Sequence, residues 1–499
     1  MAKELQSIAI QAPGFYGLNT QDSPTALSEQ FALVADNCVI DQFGRIGARK
    51  GWNYETTANT DSIVHISEFI KLDGSTEIIS ASANYIYKGT TTLTDITPGS
   101  YTVSDGLFDA ATLNGFHFLF REGEDPIYYD GTTCDEVSAH ADYSGTVPQG
   151  NIVQSGLGRL WVARTDTDNT TIYWSDLLTG FKWDTGSSGS IDVSKVWPDG
   201  SDEIVAIAVH NGILAIFGKR QILLYTGAQD PATMELTDTV VGIGCIARDS
   251  VQVSGTDLIF LSDAGVRSLK RTIQEKSAPI TDISKNVRTE LTSFVSSETQ
   301  EIFSVYSPEE AFYLLHLPTT GITYCFDMRT PLQDGAHRVT QWNAIQPQAL
   351  CRTRAGVLLL GKSQGIAKYD GYQDNGGKYQ MSYFTNYIDF GAPSNLKLLK
   401  NLKITIIGGS STQATLNWGY DYAYGYKKKT FILSTQIIAE YNIAEYNIGE
   451  FNAGVLVNRP TVNASGGGQV VQLGIEANVD GSPVSIQRLT AQAIVGRTI

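Results

Sequence analysis

The stretch "HNGILAIFGKRQILLYTG", residues 210–227, opens on an Asn-Gly turn, runs through "ILAIF" to a second turn at Gly218-Lys219-Arg220, and returns through "QILLYT". Two short runs joined and bounded by turn residues read as a β-hairpin. Neither run alternates apolar with polar residues. A strand that is apolar along its whole length has both faces buried, so this hairpin belongs to a sheet sandwiched between two others.

The pattern recurs. Further copies read "LDGSTEIISASANYIYKG" (72–89), "LNGFHFLFREGEDPIYYDG" (113–131), "GLGRLWVARTDTDNTTIYWSD" (156–176), "SGTDLIFLSDAGVRSLKR" (254–271), "SPEEAFYLLHLPTTGITYCFD" (307–327) and "TRAGVLLLGKSQGIAKYDG" (353–371). Their starts lie about 41 to 54 residues apart, which brackets the blade repeat of β-propellers. Each copy reads as the inner hairpin of one blade. The chain is therefore expected to be all-β, with a β-propeller of six or seven blades; stacked β-sandwiches are the alternative, and the strand that closes the ring is not placed by sequence.

From about residue 379 the texture changes to "YQMSYFTNYIDFGAPSNLKLLKNLKITIIGGSSTQATLNWGYDY", strand-like runs split by a Gly-Gly-Ser-Ser turn. This predicts a C-terminal β-sandwich-type domain. The expected division is 1–60 as an N-terminal segment with a first strand, 61–378 as propeller and 379–499 as the second domain. A helix is expected only in short pieces such as "SPTALSEQFALVADN" (23–37), where Ser23 or Thr25 could cap a turn and Leu27, Phe31, Val34 and Ala35 share a face.

Composition agrees with a turn-rich β protein: 48 Gly and 24 Tyr among 499 residues, of which 18% are charged. Thirty-six basic residues against 52 acidic ones leave −16, the wrong sign for tight binding to DNA phosphates or an anionic membrane. Five scattered cysteines without a C-x-x-C predict reduced, buried thiols. The start "MAKELQSIAIQAPGFYG" has no signal-peptide core and no run reaches the ~18 apolar residues of a spanning helix, so the chain is expected to be made and folded in a cytoplasm without membrane insertion.

Several motifs match a pattern but not its setting. Gly356 to Ser363 satisfies G-x-x-x-x-G-K-S, yet its middle positions are Val357, Leu358, Leu359 and Leu360, a strand where a phosphate cradle needs a flexible loop leading into a helix. Gly242-Ile-Gly244-Cys-Ile-Ala247 is followed by strand-like "RDSVQVSGTDLIFLSD" where a dinucleotide site needs a helix. "DTDNTT" (166–171) starts like a calcium loop but has Thr171 at position six and Leu177 at position twelve. The six histidines show no metal-ligand spacing. No nucleophile with its base and no carboxylate pair is nominated. The expectation is a protein that is not an enzyme, with no catalytic residue, metal or cofactor.

The segment "AEYNIAEYNIGEFNAG" (439–454) repeats a five-residue unit, placing Glu440, Glu445 and Glu450 each before a ring at Tyr441, Tyr446 and Phe451. An odd period throws successive copies to opposite faces of a strand. A looped excursion fits it better, with the carboxylates toward water and the rings packed elsewhere; an exposed loop or bulged strands are the alternative.

"APGFYGLNTQDSPTALSEQFALVADNCVIDQFGRIGARKGW" (12–52) resembles the N-terminal signature of short-tailed bacteriophage tail nozzle proteins, also called tail tubular protein B or packaged-DNA stabilisation proteins. The matching residues are Gly17, Asn19, Pro24, Ala35, Asn37, Gly44, Arg45, Arg49 and Gly51. "IYWSDLLTGFKWD" (172–184), "LAIFGKRQILLYTG" (214–227) and "GIGCIARDSVQVSGTDLIFLSDAGVRSL" (242–269) are similar to the same family in the same order. The chain is much shorter than the larger members.

The resemblance implies a virion tail component assembled in the host cytoplasm: a homohexameric ring of propeller subunits below the portal and its adaptor, with a β-rich nozzle domain, retaining packaged double-stranded DNA and conducting it at ejection. Implied partners are the portal-adaptor, tail fibres or spikes, and a tail tip or needle protein. Arg45 and Arg49 would be adaptor-docking residues; pairing with local carboxylates in the first strand is the alternative. In such a ring the five-residue repeat would narrow the exit as part of a channel gate, with Glu440, Glu445 and Glu450 facing the channel and Tyr441, Tyr446 and Phe451 packing against a neighbouring subunit. The alternative function is a propeller receptor-binding or glycan-degrading tail or surface protein.

Overall fold

The computed structural model describes residues 5–24, 26–59, 61–99, 101–103, 106–275, 282–423, 425–434 and 456–498. Each of the seven repeated stretches forms a hairpin, and each hairpin lies in its own sheet. In blade one the strands Thr76–Ala81 and Ile86–Lys88 come from the first copy, flanked by His65–Ile70 and Thr94–Asp95. Blades two (108–136), three (150–192) and four (204–241) repeat this four-stranded plan. A three-stranded sheet (252–268) follows, then blade five (303–342), then blade six, made of Ala349–Arg352, Leu358–Lys362, Gly365–Tyr369 and Trp52–Tyr54. Among the described residues, six four-stranded blades and one three-stranded sheet thus form the propeller.

The hairpins are the middle pair of each blade, not the inner one. The innermost strand precedes each copy, and first strands of successive sheets are neighbours around the axis.

Apolar runs explain the closure. Leu214 and Ile216 pack with Ile152 and Trp161 of blade three, whereas Ala215 and Phe217 of the same strand pack with Leu258 and Phe260 of the three-stranded sheet. One strand thus feeds two cores, as its unbroken apolar character requires. Equivalent cores sit between every neighbouring pair, including Ile63, Ile66 and Tyr87 against Ala349, Leu359 and Ile366 where blade six meets blade one.

The ring is closed by an N-terminal strand. Trp52, Asn53 and Tyr54 pair with Tyr369, Lys368 and Ala367. Lys362, the lysine of the phosphate-loop look-alike, lies in the strand Leu358–Lys362; its ammonium sits 4.0 Å over the Trp52 ring and donates to the Ile345 and Gln346 carbonyls. Its motif is a blade strand with a closing lysine, and burial lowers that lysine's pKa to about 8.

The outer strand of blade five, Arg338–Trp342, continues through Gly17–Leu18 and Phe31–Asp36 into Tyr379–Thr385, Val471–Val479, Gln413–Tyr420 and Lys427–Ile432, giving one ten-stranded sheet. A second, eight-stranded sheet contains Leu5–Gln11, Cys38–Ile40, Ile46–Ala48, Asn395–Gly408 and Val484–Thr498. Leu402, Ile404 and Leu489 of this sheet share a core with Leu416, Leu473 and Ile475 of the other. The expected helix at 23–37 is corrected: Phe31–Asp36 is a strand between Gly17–Leu18 and the segment at 382–385, because completing that ladder outweighs a weak local preference. Helices occur instead at Leu269–Glu275 and Arg288–Ser297.

Candidate functional site

The first strands of the seven sheets surround a cavity of about 1120 Å³, lined among others by His65, Asp109, Gln154, Arg248, Asp249 and Gln252. Arg248 precedes the three-stranded sheet and reaches across to blades two and three. Its guanidinium donates to Asp249 through Nε (2.7 Å) and Nη2 (2.8 Å), to the Phe108 carbonyl (2.9 Å) and to the Asn151 carbonyl. Every nitrogen of the fork is engaged, so Arg248 is a tether between distant blades rather than a free anion receptor. Burial opposes its charge, but Asp249 and Asp109 outweigh that and raise its pKa.

Asp109 accepts the Val153 amide at 2.8 Å. Burial raises its pKa, against the pull of Arg248. The His65 ring has a buried Nε2 without a hydrogen-bond partner, and burial, with Arg248 beside it, lowers its pKa to about 4. Behind it His117, fully enclosed, is held by Ser67 Oγ at 2.9 Å and Thr112 Oγ1 at 3.0 Å, and its pKa falls to about 3 through burial and then His65. A neutral imidazole satisfies both hydroxyls by donating to one and accepting from the other.

These histidines set a pH dependence. A group whose pKa is lowered on folding adds stability that is present above its unfolded value and is lost as pH falls toward its folded one. His117 and His316, the latter also buried and lowered to about 4, should therefore cost stability between pH 6.5 and 4, with Asp109 working the other way. Urea unfolding is expected to show a clear drop from pH 7 to pH 4.5, with a shallower slope in His117→Gln; an equal slope would contradict the assignment.

The sequence did not single out this cluster. Arg248 lies 97 and 140 positions from its carbonyl partners, and nothing local in "CIARDS" announces a contact that only ring closure creates.

The two nominated arginines lie at the joint between propeller and second part. Arg45 pairs with Asp41 at 2.6 Å and stacks 4.4 Å from the Phe43 ring. Arg49 is 0% exposed; it holds Asp374 through two bonds of 2.9 and 2.7 Å, donates to Asn37 Oδ1 (3.1 Å) and the Lys50 carbonyl (2.8 Å), and lies over the Tyr379 ring at 4.1 Å. No donor of Arg49 faces outward for an adaptor. Glu440, Tyr441, Glu445, Tyr446, Glu450 and Phe451 lie outside the described residues. Among the described residues no cluster of three or more His, Cys, Asp or Glu is arranged to hold a metal, and no helix is long and apolar enough to cross a membrane.

No protein-family model and no curated protein matches the chain. Solved structures do. The extracellular domain of a one-component system from B. thetaiotaomicron matches with a TM-score of 0.43 at 10% identity, over 67% of this chain and 46% of that one. Streptogramin B lyase matches with 0.37 at 13%, over 64% and 97%, and the WD40 beta propeller domain of Doa1 with 0.37 at 10%, over 64% and 96%. The chain spans less than half the length of the first of these. At such scores the likenesses carry no functional argument, and the architecture rests on the strand pairing: a nearly all-sheet chain whose four-stranded blades close into a β-propeller.

Proposed function

We propose that this chain is a structural, non-enzymatic subunit of a short bacteriophage tail: a nozzle protein whose copies form a ring, six by the resemblance, that retains packaged DNA and conducts it during ejection, with the portal-adaptor above and fibres, spikes or a needle as further partners. The observation that carries this reading is where the signature residues fall. Gly17, Asn37, Arg49 and Gly51 all sit at the joint between propeller and second part. Gly17 has φ +79° and a Cβ there would meet the Val339 carbonyl at 2.4 Å; a Cβ on Gly51 would meet the Gln373 carbonyl at 1.9 Å. Asn37, at φ +53°, bonds Asn343 and the Gln380 carbonyl. Residues that allow close backbone approach at this joint support a propeller that carries a second, β-rich part, as the resemblance implies.

Any passage for DNA then runs between copies, because each propeller axis is crossed by Arg248. A balance of −16 per copy suits a wall that does not grip phosphates, since each lysine contact would release counterions and hold the duplex. The second reading, a surface propeller that binds or cleaves a glycan, draws on the polar axial cavity. Light scattering and negative-stain images of the chain, alone and with a portal-adaptor, separate the two: a hollow ring is expected, and a monomer that binds oligosaccharide would overturn the nozzle reading.

A further inference from the structure

The ten-stranded sheet ends, among the described residues, at the strand Lys427–Ile432, sequence "KKKTFI". Residues 427–430 are exposed and Ile432 is 74% exposed. Lys427 donates to Ser465, whereas neither Lys428 nor Lys429 has an acidic partner among the described residues. A free edge presents unpaired backbone N–H and C=O groups, a template for another strand.

The outer strands of blades one to four are edges of opposite character. They read "TD" (94–95), "CDE" (134–136), "GSID" (189–192) and "ELTDTVV" (235–241), with no lysine or arginine in any of them. The last is the longest at 7 residues against 6 for the basic edge. It carries Glu235 and Asp238 and exposes Leu236 (40%) and Val241 (46%).

Like charges directly opposite each other destabilise a strand pair, and opposite charges support it. Two basic edges repel, as do two acidic ones, so a symmetric dimer through either edge is disfavoured. What the charges allow is one edge of each kind. We infer that Lys427–Ile432 of one copy docks along Glu235–Val241 of the next, extending the ten-stranded sheet into blade four of its neighbour, with Ile432 and Tyr426 (40% exposed) supplying apolar contact beside Leu236 and Val241. Such a contact is head-to-tail, and head-to-tail contacts generate closed rings or open filaments. The inference shares with the nozzle reading only that copies assemble.

The test is a charge swap on the full chain. Light scattering against concentration is expected to show assembly that weakens from low to high salt, as exposed ion pairs are screened. Lys428→Glu with Lys429→Glu, and separately Glu235→Lys with Asp238→Lys, should each weaken assembly by about tenfold or more, ~1.4 kcal/mol. All four changes together should restore it to within about threefold, and equal urea midpoints across the set show that folding is intact. A wild-type chain that stays monomeric at every concentration, or an edge already protected from hydrogen exchange in the monomer, overturns the contact. If all variants form the wild-type ring, the contact is wrong and the ring reading stands. If the swap behaves as expected but images show filaments without a bore, the contact stands and the conduit reading fails.

Discussion

Arg49→Leu is expected to destabilise the protein by about 3–5 kcal/mol in urea unfolding, the cost of breaking a buried pair and leaving its partner charged. Asp374 would lose both of its bonds to the guanidinium while its side chain stays only 14% exposed. Asn37 Oδ1 and the Lys50 carbonyl would lose a donor, and the Tyr379 ring would lose its cation. The residues tied together come from the N-terminal segment, the loop after the last blade strand and the first strand beyond it, so the lost bonds are those that seat the second part on the propeller. Arg49→Lys should recover little, because an ammonium cannot reproduce a two-pronged grip on a carboxylate. Arg49→Leu combined with Asp374→Leu should lose less than the single change, since no stranded charge remains. A loss under about 1 kcal/mol for Arg49→Leu would show that the joint is held by its apolar core alone.

Arg248→Leu is the second large effect, about 2–4 kcal/mol. It is set below Arg49 because the side chain of Asp249 is 36% exposed and water can take over part of the lost pairing. The carbonyls of Phe108 and Asn151 at the heads of blades two and three would still lose the guanidinium that reaches them across the axis. The variant should also raise the pKa of His65, because removing the neighbouring cation takes away one of the two causes that lower it. An NMR titration of the His65 ring reads this directly. Unchanged stability and an unchanged His65 titration would contradict the role of Arg248 as an axial tether.

These two arginines also show where sequence reading reached and where it stopped. The strand pairs were legible because each is a local event: an apolar run, a Gly-bearing turn and a return, as in "GVLLLGKSQGIAKY" (356–369). The unbroken apolar character of "GILAIFG" also told correctly that the strand has a sheet on either side. Innermost strands such as "HISEFI" and "FDAATL" were not legible, because at the axis they mix polar residues facing the cavity with apolar ones facing the cores. The closing strand Trp52–Tyr54 escaped because its partner lies over 300 positions away, and a three-residue strand has no period to detect. The helix expected around Phe31 failed for the same reason: spacing that suits a helical face can be overridden by a ladder on both sides. Arg45 and Arg49 stood out by resemblance alone, and only the burial of Arg49 reveals its work inside the joint.

The proposal comes down to one claim: copies of this chain surround a passage that lies between subunits, because Arg248 crosses the propeller axis of each. A density map of the assembled tail at side-chain resolution tests it most directly. The account expects duplex density in a bore enclosed by a ring of copies and lined chiefly by carboxylates, with Arg248 crossing every propeller axis. A solid stack without a bore, or a bore lined mainly by lysine and arginine gripping the phosphates, would contradict it.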